Sequence, residues 1–211
     1  MTSFLRDLYV PIPGHGSNRI NASYAWGGME LLNQTLAQNF GIYVDGNVEV
    51  NFIHFAEVID LMGGVDMELR GDEANYINIT VEGSNLTAGL HHLNGLQALQ
   101  YSRIRHLDGN ADFSRTNRQR KVITALLDSF RGTKITDLAP VIKDLLPMIT
   151  TDLNHGKLLL AAMEVLPRMS DMEIRSQRIP ADGTFSDQNI NGMWVLVADM
   201  PAQQRYLRKT L

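Results

Sequence analysis

Between residues 47 and 69 the hydrophobic period changes twice, and this restricts the fold more than any other feature. "NVEVNF" alternates apolar and polar residues, as a strand with one buried face does. "IHFAEVIDLM" then carries a helical period, and "GGVDMEL" stops the helix and returns to alternation. Strand, helix and strand in succession mark a sheet with helices packed on its faces. A similar order precedes it. "FLRDLYVPIPG" reads as a strand ending in a turn, "GHGSNR" as loop, and "GGMELLNQTLAQNFGI", with Met29, Leu32, Leu36 and Phe40 on one face, as a helix. The expected fold class is α/β.

Residues 70–93 are polar and turn-rich and read as an irregular excursion, with strand candidates in "ANYINITV" and "LHHL". "NGLQALQY" is a short helix, and "ADFSRTNRQRKVITALLDSFRG" a longer one closed by Gly132. "DLAPVIKDLLPMIT", interrupted by Pro147, and "NHGKLLLAAMEVLPRM" follow as apolar helices, with "MEIRSQRI" and "MWVLV" as late strands. No linker separates the halves, so the 211 residues are expected to form a single domain spanning 1–211. With 44% apolar and 20% charged residues the chain can bury a core without disulfides. It has no cysteine, which excludes thiolate metal sites and leaves the compartment open. No run reaches the roughly 18–20 apolar residues that span a bilayer, and "MTSFLRDLYV" lacks the sections of a signal peptide. The four Asn-x-Ser/Thr triplets, at Asn21, Asn33, Asn78 and Asn85, are short patterns of little weight.

The formal net charge is -4, yet five of the fourteen arginines fall within "YSRIRHLDGNADFSRTNRQR": Arg103, Arg105, Arg115, Arg118 and Arg120. On the helix beginning near Asp112, Arg115, Arg118 and Gln119 share a face with Val122, Leu126 and Phe130. The cationic turn thus opens a core-facing stripe, whereas Arg120 falls off that face and reads as solvated. Arg103 and Arg105, two apart, point the same way only if the preceding helix ends near Tyr101 and the chain continues extended. A guanidinium cluster beside a helix N-terminus suits a phosphate or pyrophosphate. An internal salt-bridge lattice with Asp108 and Asp112 is the competing reading. Surplus arginines and the apolar stripe behind them favour a ligand with an anionic head and an apolar tail. A global net negative charge, with its basic residues turned inward, disfavours nucleic acid.

The blocks "FLRDLYVPIPGHGSNRINASYAWGG", "VEVNFIHFAEVIDLMGGVDMEL" and "LNGLQALQYSRIRHLDGNADFSRTNRQRKVI", with a weaker "TTDL", resemble the LytR-CpsA-Psr family of bacterial cell-envelope proteins, in the family's order and over most of the chain. The resemblance implies a mixed central sheet with helices on both faces, enclosing an apolar lipid tunnel. It implies a phosphotransferase that moves a glycopolymer, wall teichoic acid or a capsule-like polysaccharide, from a polyprenyl-pyrophosphate carrier onto peptidoglycan at the extracytoplasmic face of the membrane. The catalytic residues it implies are Asp7, Arg103, Arg105, Asp112 and Arg115. Arg6, Arg118, Gln119 and Asn21 would bind substrate, and Asp7 with Asn18 would hold magnesium. At Asn18 the family usually has an aspartate, so a neutral amide replaces a charged ligand and weaker metal binding is expected. Family members also carry a membrane helix and further strands ahead of this first block. The non-enzymatic alternative is a polyprenyl-phosphate-binding envelope regulator.

Two other patterns carry less. Gly14-x-Gly16 lacks the third glycine of a dinucleotide turn, since position 19 is Arg19, and there is no GxSxG elbow. His91 and His92 are adjacent and point apart on a strand or helix, which suits turn residues better than a metal site.

Overall fold

The computed structural model describes residues 1–109, 111–131, 143–165, 168 and 171–210. Residues Met1–Asp45 contribute β1 (Thr2–Phe4), β2 (Tyr9–Ile12), β3 (Gly16–Arg19) and α1 (Ile20–Phe40). The segment Gly46–Ile174 holds β4 (Val48–Glu49), α2 (Phe52–Leu61), β5 (Val65–Leu69), α3 (Gly71–Thr80), β6 (Gly89–Leu93), α4 (Gly95–Arg103) and α5 (Ala111–Ser129). After a 3-10 turn at Leu146–Met148 come β7 (Thr150–Thr151) and α6 (His155–Val165). From Arg175 onward lie β8 (Gln177–Ile179), β9 (Phe185–Ile190), β10 (Met193–Ala198) and α7 (Met200–Thr210). Gly132 and the start of the "DLAPVIKD" helix lie outside the described residues.

The α/β class holds, and the chain divides into two compact units. The first joins Met1–Asp45 to Arg175–Leu211; the second is the continuous stretch Gly46–Ile174. The boundary has no linker signature because the second unit is inserted into the first. Among the described residues the strands pair two by two, not as one broad sheet: β1 with β8 in parallel, and β2–β3, β4–β7, β5–β6 and β9–β10 antiparallel.

In the first unit, Leu8, Val10, Ile12, Ile20, Phe40, Ile179 and Leu207 form the core. Leu8 reaches β10 through a parallel bridge to Leu196, whose N–H donates to the Asp7 carbonyl at 2.9 Å. "GHGSNR" is not loop but the turn and return strand of the β2–β3 hairpin, with Ile12 opposite Gly16. Its strand shows no alternating apolar residues, so the sequence pattern hides it. The turn needs left-handed backbone at Gly14 (φ 75°) and Gly16 (φ 74°), which glycine adopts without a steric penalty. Helix α1 starts before "GG" and is broken at Gly27–Gly28, where the backbone leaves helical angles.

In the second unit β5 alternates cleanly: Val65, Met67 and Leu69 are buried, Asp66 and Glu68 exposed. Ile59, Ile77, Leu93, Ala98, Tyr101, Ile104 and Val122 complete its core. "ANYINITV" forms α3, not a strand. Its β-branched residues suggest extension, but Asp72 and Glu73 lie in the first turn of a helix, and the Glu73 carboxylate accepts the Arg70 N–H at 3.0 Å. "NVEVNF" pairs only over Val48–Glu49. Helices α2 and α4 meet closely at Gly95, where a Cβ would stand 2.0 Å from the Ala56 carbonyl oxygen. Any side chain at this position would push the two helices apart.

Candidate functional site

Helix α4 begins with Asn94 as N-cap, its side chain accepting the Gln97 N–H at 2.9 Å while the Gln97 side chain accepts the Asn94 N–H. It ends at Arg103, where Ile104 turns extended (φ -55°, ψ 127°) and sinks into the core. Arg103 and Arg105 are exposed on either side of a buried isoleucine; α4 runs two residues past the end expected near Tyr101, so Arg103 closes the helix and Arg105 follows it. The Arg103 guanidinium lies 5.0 Å from the centroid of the Phe52 ring, itself an exposed aromatic at the start of α2. Among the described residues neither arginine is ion-paired with a carboxylate.

The arginines of α5 are placed differently. Arg118 is buried, as the inward stripe with Val122 requires. Its Nε donates to Glu73 Oε1 at 2.8 Å, one terminal nitrogen bonds Asp108, and another reaches the Ile104 carbonyl at 3.4 Å. Arg70 closes the network through Asp108 (2.8 Å) and Asp72 (2.8 Å). Burial works against the charge on Arg118, but its bonds to Glu73 and Asp108 outweigh this and raise its pKa. The same bond from Arg118, joined by Arg70, holds the Asp108 carboxyl below the usual range. Beneath them the Tyr101 hydroxyl, buried without a hydrogen-bond partner among the described residues, is pushed up to about 12 by burial and then by Glu73. Arg118 thus serves the internal lattice that competed with a ligand site in the sequence. Arg120, expected in solvent, is 7% exposed.

Arg115 is half-buried, its terminal nitrogen 2.8 Å from Asp112 Oδ1 in the first turn of α5, where the helix dipole favours a carboxylate. Gln119, one turn further, is half-buried on the same face. Asp112 and Arg115 make a neutral pair at a helix N-terminus, with the apolar stripe directly behind.

The first unit carries a second constellation. Asp7 stands between two guanidinium groups: Arg6 Nε donates to Oδ2 at 3.1 Å, and Arg19 Nε lies 3.2 Å from Oδ1. That Oδ1 atom is buried and accepts no hydrogen bond among the described residues, so a lone pair is open. Arg19 is fixed from behind by donating to the Trp194 carbonyl from Nε (3.1 Å) and a terminal nitrogen (2.7 Å). Asn18 Oδ1 accepts the Arg19 N–H at 2.8 Å and retains a second lone pair. Asn21 is exposed in the first turn of α1, its N–H on the Arg6 carbonyl at 3.3 Å. Arg19, Glu73 and Arg70 are partners that sequence reasoning did not assign; Arg19 directly follows Asn18 within the quoted block, which is the signal that would have found it. Among the described residues no group of three or more His, Asp or Glu side chains is placed to hold a metal ion. One carboxylate with one amide suits magnesium, which keeps several waters and takes oxygens from a substrate phosphate.

The chain belongs to the LytR_cpsA_psr family, whose model matches residues 1–210. Regulatory protein MsrR of Staphylococcus aureus is 31% identical over 197 residues, covering 90% of this chain and 57% of that protein. The Bacillus anthracis polyisoprenyl-teichoic acid–peptidoglycan teichoic acid transferase TagU is 28% identical over 211 residues, 98% of this chain and 65% of its own. The chain therefore spans between half and two thirds of the length of these curated relatives. Among solved structures, B. subtilis TagT superposes with a TM-score of 0.77 at 27% identity, covering 99% of this chain and 77% of TagT. TagT with bound octaprenyl pyrophosphate lipid gives 0.72 at 26% identity, over 100% and 78%. Among the described residues no helix is long and apolar enough to cross a membrane.

Proposed function

We propose that this chain is the catalytic portion of a magnesium-dependent phosphotransferase that moves a glycopolymer, of teichoic acid or capsule-like type, from a polyprenyl-pyrophosphate carrier onto peptidoglycan at the outer face of the bacterial membrane. The observation that carries the reading is the exposed pair Arg103 and Arg105, held apart from the carboxylates that engage Arg118 and Arg115. The names of TagU and the lipid bound to TagT support the same class of substrate. Arg103 and Arg105 bind pyrophosphate oxygens, and Arg115 and Gln119 add contacts at the α5 N-terminus. An acceptor hydroxyl attacks the sugar-linked phosphorus, the P–O bond to the carrier breaks, and polyprenyl phosphate leaves with the electron pair. The hydroxyl proton passes to a carboxylate, for which Asp112 is the candidate, or to water. Asp7 and Asn18 would hold a magnesium ion, which would supply positive charge against phosphate oxygens when bound.

The test is transfer from a synthetic polyprenyl-pyrophosphate glycan to peptidoglycan, with native mass spectrometry of lipid retention alongside. Asp7→Ala is expected to abolish magnesium-dependent transfer while lipid is still retained; unchanged transfer overturns the metal assignment. Failure of the unaltered protein to take up any polyprenyl phosphate overturns the reading as a whole, and retention without transfer leaves the polyprenyl-phosphate-binding regulator.

A further inference from the structure

In the first unit the β9–β10 hairpin presents an aromatic face that the transfer chemistry does not use. Trp194 is 66% exposed on β10 and lies opposite Asn189 of β9. Directly paired residues of an antiparallel ladder share a face, and so do positions two apart along a strand, which puts exposed Asp187 on the face of Trp194 and Asn189. The face is rigid. Asn189 Oδ1 accepts the Gly192 N–H at 3.0 Å across the turn, and the Trp194 carbonyl is clamped by Arg19, the residue that also flanks Asp7. A flat ring beside an amide and a carboxylate is poor lipid surface, because the apolar area is not continuous. It matches a pyranose: the C–H face of the sugar stacks on the indole, and its hydroxyls donate to Asp187 and exchange hydrogen bonds with Asn189.

We propose that Trp194, Asp187 and Asn189 form a carbohydrate subsite that holds a neutral glycan strand beside Asp7. Its assignment to the acceptor rests on the proposed transferase reading; its capacity to bind sugar does not. The link through Arg19 is what ties the subsite to the site: one guanidinium contacts both the Trp194 carbonyl and the Asp7 carboxylate.

The chain has two tryptophans, so Trp26→Phe leaves Trp194 as the sole indole reporter. Titrating that variant with N-acetylglucosamine tetramer is expected to give a saturable change in Trp194 fluorescence. In the otherwise native protein, calorimetry is expected to show binding weakened about tenfold by Trp194→Ala, the scale of losing one stacked ring, and retained by Trp194→Phe. Asp187→Ala, an exposed position whose side chain has no bonding partner among the described residues, is expected to weaken binding without changing the melting temperature. No tetramer binding by the native protein, or binding by Trp194→Ala and Asp187→Ala that equals it, overturns the proposal; so does binding of an extended peptide, but not the sugar, through β9. Octaprenyl pyrophosphate uptake is measured in the same variants and is expected to be unchanged. Sugar binding that depends on Trp194 in a protein that takes up no lipid supports the subsite and overturns the transferase.

Discussion

Arg118 and Arg103 come from the same arginine-rich stretch and meet opposite surroundings. Arg118 is 3% exposed and reaches Glu73, Asp108 and the Ile104 carbonyl, while Arg103 stands at the end of α4 with an aromatic face beside it and no carboxylate among the described residues. One guanidinium is neutralised by the fold; the other keeps its charge at the surface. The difference shows that a cluster of arginines in sequence is not a cluster of equivalent charges. The α5 stripe turns Arg118 inward, where an unpaired charge is intolerable, whereas the end of α4 leaves Arg103 and Arg105 facing water. Residues of one type a few positions apart are thus drawn into a buried lattice or left exposed by the local backbone.

The largest effect that tests this contrast is Arg118→Ala. It strands Glu73, whose side chain is 6% exposed, and is expected to cost about 3–5 kcal/mol in urea denaturation. A loss below about 1 kcal/mol would show the lattice to be dispensable. Next come Arg103→Ala and Arg105→Ala, expected to lower transfer by about 10² to 10³ while stability changes by less than about 0.5 kcal/mol. Loss of stability on a par with Arg118→Ala would erase the distinction.

Acid sharpens it further. The Asp108 pKa is depressed below its ordinary 3.8, so its contribution is complete above that pH and is lost as pH falls through the lower folded value. Acid unfolding that begins below about 3.8 and is weakened in Asp108→Asn is the expected outcome. The smallest effect belongs to His92, whose pKa is raised by Asp66 at 2.7 Å and by the Gly63 carbonyl at 2.6 Å. Its contribution is complete below 6.5 and fades as pH rises through the higher folded value. The pair is exposed, so His92→Gln is expected to remove only about 0.2–1 kcal/mol, and only on the acid side of that window.

Much of this was legible in the sequence. The period changes around α2 and β5 are visible because each buries one face, and the inward stripe of α5 follows from Arg115, Arg118 and Val122 at helical spacing. What was not legible depends on partners distant in sequence. Glu73 commits Arg118 from 45 residues away, within a segment whose isoleucines and threonine read as a strand. Arg120 falls off the stripe by periodicity and is buried all the same. The β3 return strand is polar and is formed by turn geometry and its ladder with β2, which composition does not record. The conflict between ligand site and salt-bridge lattice could not be resolved by counting charges, because the lattice takes Arg118 and leaves Arg103 and Arg105 exposed.

The insertion of one unit within the other sets a timetable. β1 finds its parallel neighbour only in β8, and the Leu5 N–H its acceptor only at Ile179. Translation must therefore run through Gly46–Ile174 before the opening strand can be placed, an interval on the order of ten seconds on a ribosome. The inserted segment is free to fold in that time, while Leu8 and Val10 lack the cover of Ile179 and Leu207. A chaperone that holds the emerging amino-terminal segment, or a rare-codon pause placed after Ile174, would act on that interval and leave the finished molecule unchanged.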